Sequence, residues 1–233
     1  MIDLNFLENK NTVIISTPRS SSTYFYKCVY EAMLKKYGNK SIKLEEDPYT
    51  IHNKNASIVC KLLLPNYKKT IVDSTPDFLK KSQIIVLYPR SDYISHYTSL
   101  IIPLYSEIVL ENSGKFMHWN AIPGTSDITA EFVKNDFKSL KKIDNVVAKK
   151  LINRVTQVIR DFKEEINTIT KENFISYETS YDEIYNWKDN TKETLIWKNP
   201  IQKLDMFEDP SFIIAEIEKS VKSLNGWPKK ALA

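Results

Sequence analysis

Thr12-Val13-Ile14-Ile15-Ser16-Thr17-Pro18-Arg19-Ser20-Ser21-Ser22-Thr23-Tyr24-Phe25 is the stretch that decides the fold. An apolar β-branched run, Val13-Ile14-Ile15, ends in a hydroxyl-rich turn, and that turn opens a helical pattern over Tyr24–Tyr37. A strand that feeds a helix through a small-residue loop is a natural cradle for a phosphate-like anion. The first N–H groups of a helix have no intrahelical acceptor, and the helix dipole favours negative charge there. Arg19 adds a fixed cation with a planar donor fork, and Ser20, Ser21, Ser22 and Thr23 add hydroxyls.

Composition sharpens the reading of Arg19. The chain has 33 Lys+Arg, yet only Arg19, Arg90, Arg154 and Arg160 are arginines. Where arginine is this scarce, its planar fork matters more than its charge, and Arg19 and Arg90 both follow apolar strand-like runs. Arg154 and Arg160 lie six apart on a polar helical stretch and read as surface pairs.

At 233 residues, with 42% hydrophobic and 27% charged residues, the chain reads as one globular domain, 1–233. The net charge of +4 is mild and spread out, without the dense basic block of a nucleic-acid arm, so no nucleic acid is expected as partner. Cys28 and Cys60 form no disulfide framework and no metal-ligand spacing, and read as small core residues. The N-terminus lacks a signal-like apolar core, and no apolar run reaches about 18 residues, so no membrane span is expected. A reducing cytoplasm is the simplest setting.

Strand-like runs fall at Thr12–Ser16, Ser57–Leu64, Thr70–Val72, Gln83–Tyr88 and Asn173–Tyr177. Helix-like runs fall at Tyr24–Tyr37, Tyr93–Leu104, Thr129–Phe137, about Lys142 to Thr170, and Pro210–Leu224. Glu208-Asp209-Pro210-Ser211 is a helix start with Pro near its first position. Continuous apolar strands alternating with helices predict an α/β fold, a mostly parallel central sheet flanked by helices. In such sheets ligands bind beyond the carboxyl ends of the strands, where loops 17–23 and 89–92 both lie.

The second loop belongs to Gln83-Ile84-Ile85-Val86-Leu87-Tyr88-Pro89-Arg90-Ser91-Asp92, followed by Tyr93-Ile94-Ser95-His96-Tyr97-Thr98-Ser99. Asp92 is placed to cap the following helix. Arg90 at the strand tip, with a helix-borne hydroxyl, is suited to hold a second phosphate.

Together the two loops resemble those of sulfotransferases that use 3′-phosphoadenosine 5′-phosphosulfate (PAPS). Ser16 to Tyr24 resembles the family's 5′-phosphosulfate loop, and Arg90 with Ser95 its 3′-phosphate motif. Phe174-Ile175-Ser176-Tyr177-Glu178-Thr179 is similar to a late strand ending in Tyr-Glu-Asp-Leu, and Trp197-Lys198-Asn199 to a C-terminal Trp-Lys-Asn. The resemblance spans residues 12–199. It implies a P-loop NTPase-like three-layer sandwich, PAPS as co-substrate, no metal, and a small-molecule or glycan acceptor.

Carried over by position, Arg19 is the catalytic cation at the bridging oxygen and sulfuryl group. Ser20, Ser21, Ser22 and Thr23 cradle the 5′-phosphate, and Tyr24 stacks on adenine. Arg90 and Ser95 hold the 3′-phosphate, with Thr98 or Ser99 as alternative partners, and Lys198 is a further phosphate contact. Two departures stand out. Ser21 occupies the position of the loop Gly. Lys61-Leu62-Leu63-Leu64-Pro65 resembles the Lys-Thr-His-Leu-Pro of cytosolic members, but Leu63 stands where their catalytic His would be. The base is then sought in Glu45 or Glu46, which sit where other branches keep a glutamate, or in His52, whose imidazole titrates near neutrality.

Two other readings compete. A P-loop kinase wants Gly-x-x-x-x-Gly-Lys-Ser/Thr, and loop 17–23 has neither Gly nor Lys. A non-catalytic nucleotide-binding module would keep the loop and dispense with the base. The aromatic-rich segment from about Ile101 to Asp127, with Tyr105, Phe116, His118 and Trp119, suits an acceptor pocket or a packed lid equally.

Overall fold

The computed structural model describes residues 4–17, 22–38, 42–45, 57–63, 81–112, 142–171, 175–188 and 203–230. The chain divides into two compact units. One comprises Met1–Ser91, Val158–Ile196 and Trp227–Ala233, the other Asp92–Gln157 and Trp197–Gly226.

The first unit is an α/β sheet structure. Its strands are β1 (Thr12–Ser16), β2 (Ile42–Glu45), β3 (Ser57–Leu63), β4 (Gln83–Tyr88) and β5 (Ile175–Ser180), in the order β2-β3-β1-β4-β5. Every pairing is parallel. Parallel neighbours need long crossovers, and among the described residues α1 (Ser22–Tyr37) follows β1. Gly38, at φ +86°, ends α1 in the left-handed region, and its N–H donates to Leu34 O at 2.8 Å.

The register explains the sequence pattern. Ser16 lies opposite Leu63 on one side and Leu87 on the other. β1 and β4 are buried along their whole lengths, which is why they read as continuous apolar runs rather than as alternation. Val13, Ile15, Cys60, Ile84, Val86 and Tyr88 form one face, packed on Phe162, Ile166 and Ile169 of helix α3 (Asn145–Lys171). Ile14, Val59, Ile85 and Leu87 form the other, packed on Phe25, Tyr26, Val29 and Met33 of α1. Ile184, from helix α4 (Tyr181–Lys188), joins this second cluster. Helices on both faces make three layers, with period-2 alternation deciding which residue meets which helix.

The expected strands at Thr12–Ser16 and Gln83–Tyr88 occur as read, and the strand expected over Ser57–Leu64 is present over Ser57–Leu63, with Leu64 outside the described residues. β5 runs to Ser180 rather than ending at Tyr177. Among the described residues it pairs with β4 alone, so its last residues, Glu178-Thr179-Ser180, can be polar without burying charge on both sides. The edge strand β2 has too short an apolar pattern to announce itself. The runs at Thr70–Val72 and Thr129–Phe137 lie outside the described residues.

The described residues of the second unit are mostly helical. They include α2 (Tyr93–Asn112), the first part of α3, a 3-10 turn (Lys203–Met206) and α5 (Pro210–Ser223). Asp209 caps α5, accepting from Phe212 N–H at 3.0 Å, with Pro210 at the first helical position. Ile143 N–H donates to Met206 O at 2.8 Å and Glu208 N–H to Ile143 O at 3.1 Å. The buried Tyr97 and Thr156 hydroxyls join α2 to α3 at 3.1 Å.

Candidate functional site

The carboxyl edge of the sheet is where the sequence points, and three strands deliver polar groups there. β1 ends in Ser16 and Thr17, both fully buried, just before the loop. The Ser16 hydroxyl has no hydrogen-bond partner among the described residues. Ser22 opens α1 and is buried, while Tyr24 is half-buried against the core cluster beneath α1. Thr23 contributes its backbone to the first helical turn. Arg19, Ser20 and Ser21 lie outside the described residues.

β4 delivers Arg90. Its guanidinium stacks over the ring of Tyr181, the first residue of α4, 4.3 Å from the centroid. The Arg90 carbonyl accepts from the Trp227 indole N–H at 2.8 Å, and the next N–H, of Ser91, donates to Asp182 Oδ2 at 2.8 Å. The Arg90 Nε is buried and makes no hydrogen bond among the described residues. Stacking occupies the face of the guanidinium and leaves its in-plane donors.

β5 adds Glu178, whose Oε1 accepts from the Tyr88 hydroxyl at 2.7 Å. Burial, the hydrogen bond to Glu178 and that carboxylate's charge raise the Tyr88 phenol well above its ordinary value, so Tyr88 stays a donor. The helix cap comes from Ser180 and Glu183. Glu183 N–H donates to Ser180 Oγ at 3.3 Å, and Ser180 N–H donates back to Glu183 Oε2 at 3.1 Å, a capping box. Burial alone would raise the Glu183 carboxyl. Hydrogen bonds from Thr179, Lys230 and Ser180, with the Lys230 charge at 3.2 Å, outweigh it and hold the carboxyl low.

In the second unit, Asp92 caps α2 as expected, accepting from Ser95 N–H at 3.0 Å. The three candidate hydroxyls differ. Thr98 is buried and donates to Ile94 O at 3.0 Å; Ser99 is buried and donates to His96 O at 2.7 Å. Ser95 alone of the three is partly exposed. His96 is fully buried inside the unit.

Glu46, His52 and Lys198 lie outside the described residues. Glu45 is the last residue of β2, with its backbone opposite Cys60. Leu63 is level with Ser16. A cavity of about 430 Å³ opens at the other, amino-terminal edge, lined by Phe6, Lys10, Lys81, Gln83 and Ser176 among others. Lys10 there is paired with Glu8. The cavity sits at the opposite end of the strands from Ser16 and Arg90, so the carboxyl edge remains the candidate site.

Sequence reasoning missed Tyr181 and Trp227. A tyrosine three residues after the Tyr-Glu pair and a tryptophan in Gly-Trp-Pro carry no signal by themselves; only the fold brings them to Arg90. Among the described residues no group of three or more His, Cys, Asp and Glu is arranged to hold a metal, and no helix is long and apolar enough to cross a membrane. No family model, no curated protein and no solved structure matches the chain.

Proposed function

We propose that this chain is a PAPS-dependent sulfotransferase, transferring a sulfuryl group to the hydroxyl or amine of a small-molecule or glycan acceptor. The observation that carries the reading is the pair of adjacent parallel strands, β1 and β4. In sequence, one is followed by a hydroxyl-rich stretch and α1; two residues beyond the other lies Arg90, whose guanidinium is stacked and whose Nε has no hydrogen-bond partner among the described residues. Two anion sites at neighbouring strand ends suit a nucleotide with a 3′-phosphate as well as a 5′-phosphosulfate, and the central position of β1 in a five-stranded parallel sheet supports the P-loop-like form of the fold.

In the proposed reaction the acceptor oxygen bonds to sulfur as the bond from sulfur to the bridging oxygen breaks. The electron pair stays on the 5′-phosphate of adenosine 3′,5′-bisphosphate, and the acceptor proton passes to a base, for which Glu45, Glu46 and His52 are the candidates. Charge develops on the bridging oxygen and the equatorial sulfuryl oxygens, where Arg19 and the first-turn N–H groups of α1 act by positioning and electrostatics.

Thermal-shift titration tests the reading. Stabilisation by adenosine 3′,5′-bisphosphate, and not by ATP with Mg²⁺, is expected; the reverse pattern sinks the proposal in favour of a kinase. Leu63 beside Ser16 favours a second reading, a nucleotide-binding module without a base. Turnover of PAPS with an acceptor panel separates the two.

A further inference from the structure

Arg90 is held from three directions, and the holding residues come from segments far away in the chain. Tyr181 supports the flat face of its guanidinium at 4.3 Å. Trp227 fixes its carbonyl at 2.8 Å, and Asp182 fixes the following N–H at 2.8 Å. The segment carrying Trp227 is itself pinned, by Lys230 to Glu183 at 3.2 Å. Among the described residues no carboxylate pairs with the guanidinium, although Asp182 is anchored one residue along. An arginine fixed in backbone and plane, with its buried Nε lacking a partner, is arranged to receive an anion rather than to complete an internal ion pair.

We infer that Tyr181 and Trp227 are positioning residues for phosphate capture by Arg90, so that the segment Trp227–Lys230 is a working part of the nucleotide site. This rests on the sulfotransferase reading, because the phosphate in question is the 3′-phosphate of the nucleotide. The stacking holds the donor fork in one plane, and the indole hydrogen bond sets where that fork begins. Both lower the ordering cost of binding. Lys229 is exposed and lies two residues from Trp227, which places a further cation on the same segment.

The test compares affinities for adenosine 3′,5′-bisphosphate and adenosine 5′-monophosphate by calorimetry on the full chain. The two differ only by the 3′-phosphate, so their affinity ratio isolates that contact. The wild-type chain is expected to prefer the bisphosphate by about tenfold or more. Tyr181→Phe keeps the ring and the ratio. Tyr181→Leu brings the ratio close to that of Arg90→Ala, and Trp227→Phe lowers it, with the monophosphate affinity unchanged. A loss of both affinities together indicates general damage and overturns the positioning role. So does an unchanged ratio in Tyr181→Leu and Trp227→Phe. If Tyr181→Leu fails to fold, Trp227→Phe, which keeps an aromatic ring while removing the indole N–H, carries the test. Wild-type chain that binds neither nucleotide overturns the sulfotransferase reading itself, whereas equal wild-type affinities overturn the assignment of Arg90.

Discussion

The Tyr88 hydroxyl donates to Glu178 at 2.7 Å, tying the last residue of β4 to β5, while the Tyr88 ring meets Phe162 edge-on with centroids 6.0 Å apart. One side chain therefore joins two strands and the helix that covers them. Tyr88→Phe keeps the ring packing and removes only the donor. It is expected to cost about 1–2 kcal/mol, read as a lower urea midpoint at unchanged slope. An unchanged midpoint would mean that water replaces the phenol without cost.

The same pair sets an alkaline limit. Because the Tyr88 phenol is raised in the folded state, above pH 10.0 the unfolded chain loses that proton while the folded chain keeps it. The unfolded state then binds fewer protons and stability falls as pH rises; below pH 10.0 the contribution is fully present. Wild type should lose more stability between pH 9 and pH 11 than Tyr88→Phe does. Parallel curves for the two proteins contradict this.

Glu183 acts in the opposite direction. Its carboxyl is held below the ordinary 4.5, so its contribution is present above that pH and fades as the medium is acidified through and below it. Ser180→Ala, which removes the hydroxyl side of the capping box, should cost about 1 kcal/mol at neutral pH. Glu183→Gln should be less stable than wild type at pH 7 and approach it near pH 3. A constant gap across that range rules out the ionised box.

Phe162 fills the space between α3 and the sheet and is fully buried. Phe162→Ala is expected to cost about 3–5 kcal/mol in equilibrium unfolding, the usual range for emptying such a site. A value under about 1 kcal/mol would show that this face of the sheet collapses to fill the void.

For the proposed sulfuryl transfer, Arg19→Ala should lower kcat by about 10²–10³-fold, the range for losing one transition-state donor. Arg90→Ala should act mainly on nucleotide affinity. Steady-state kinetics with varied PAPS separates the two, and a variant pair with identical kinetic defects contradicts the division of labour.

The central layer was legible in the sequence because Val13-Ile14-Ile15 and Ile84-Ile85-Val86-Leu87 are buried on both sides, and such strands can only be apolar. β5 was legible only in part. Ile175 follows the core pattern, but Glu178 and Thr179 belong to an edge and are chosen for hydrogen bonds rather than hydrophobicity. In the candidate site, Arg90 was visible because arginine is rare here and follows a strand. Its supports were not, since Tyr181 and Trp227 lie 91 and 137 residues further along and no local pattern encodes that meeting. The hydroxyls of Thr98 and Ser99 looked equivalent to that of Ser95 by spacing. The difference lies in burial and in back-bonding to the helix, which a serine or threonine within a helix does not reveal by type.

The parallel register has a kinetic corollary. Thr12 pairs with Gln83, and Ile84 with Ile175, so the ladders that set the carboxyl edge join segments about seventy and ninety residues apart. Closing such loops precedes any reward from their contacts, and chains built this way fold slowly. The carboxyl ends of β1 and β4 stand side by side only once the two strands have paired, and Arg90 gains the ring of Tyr181 only when α4 docks after β5. A nascent or partly folded chain therefore lacks the assembled edge, and a nucleotide that grips it would report completed assembly, which makes refolding in its presence a direct clock on the last step of folding.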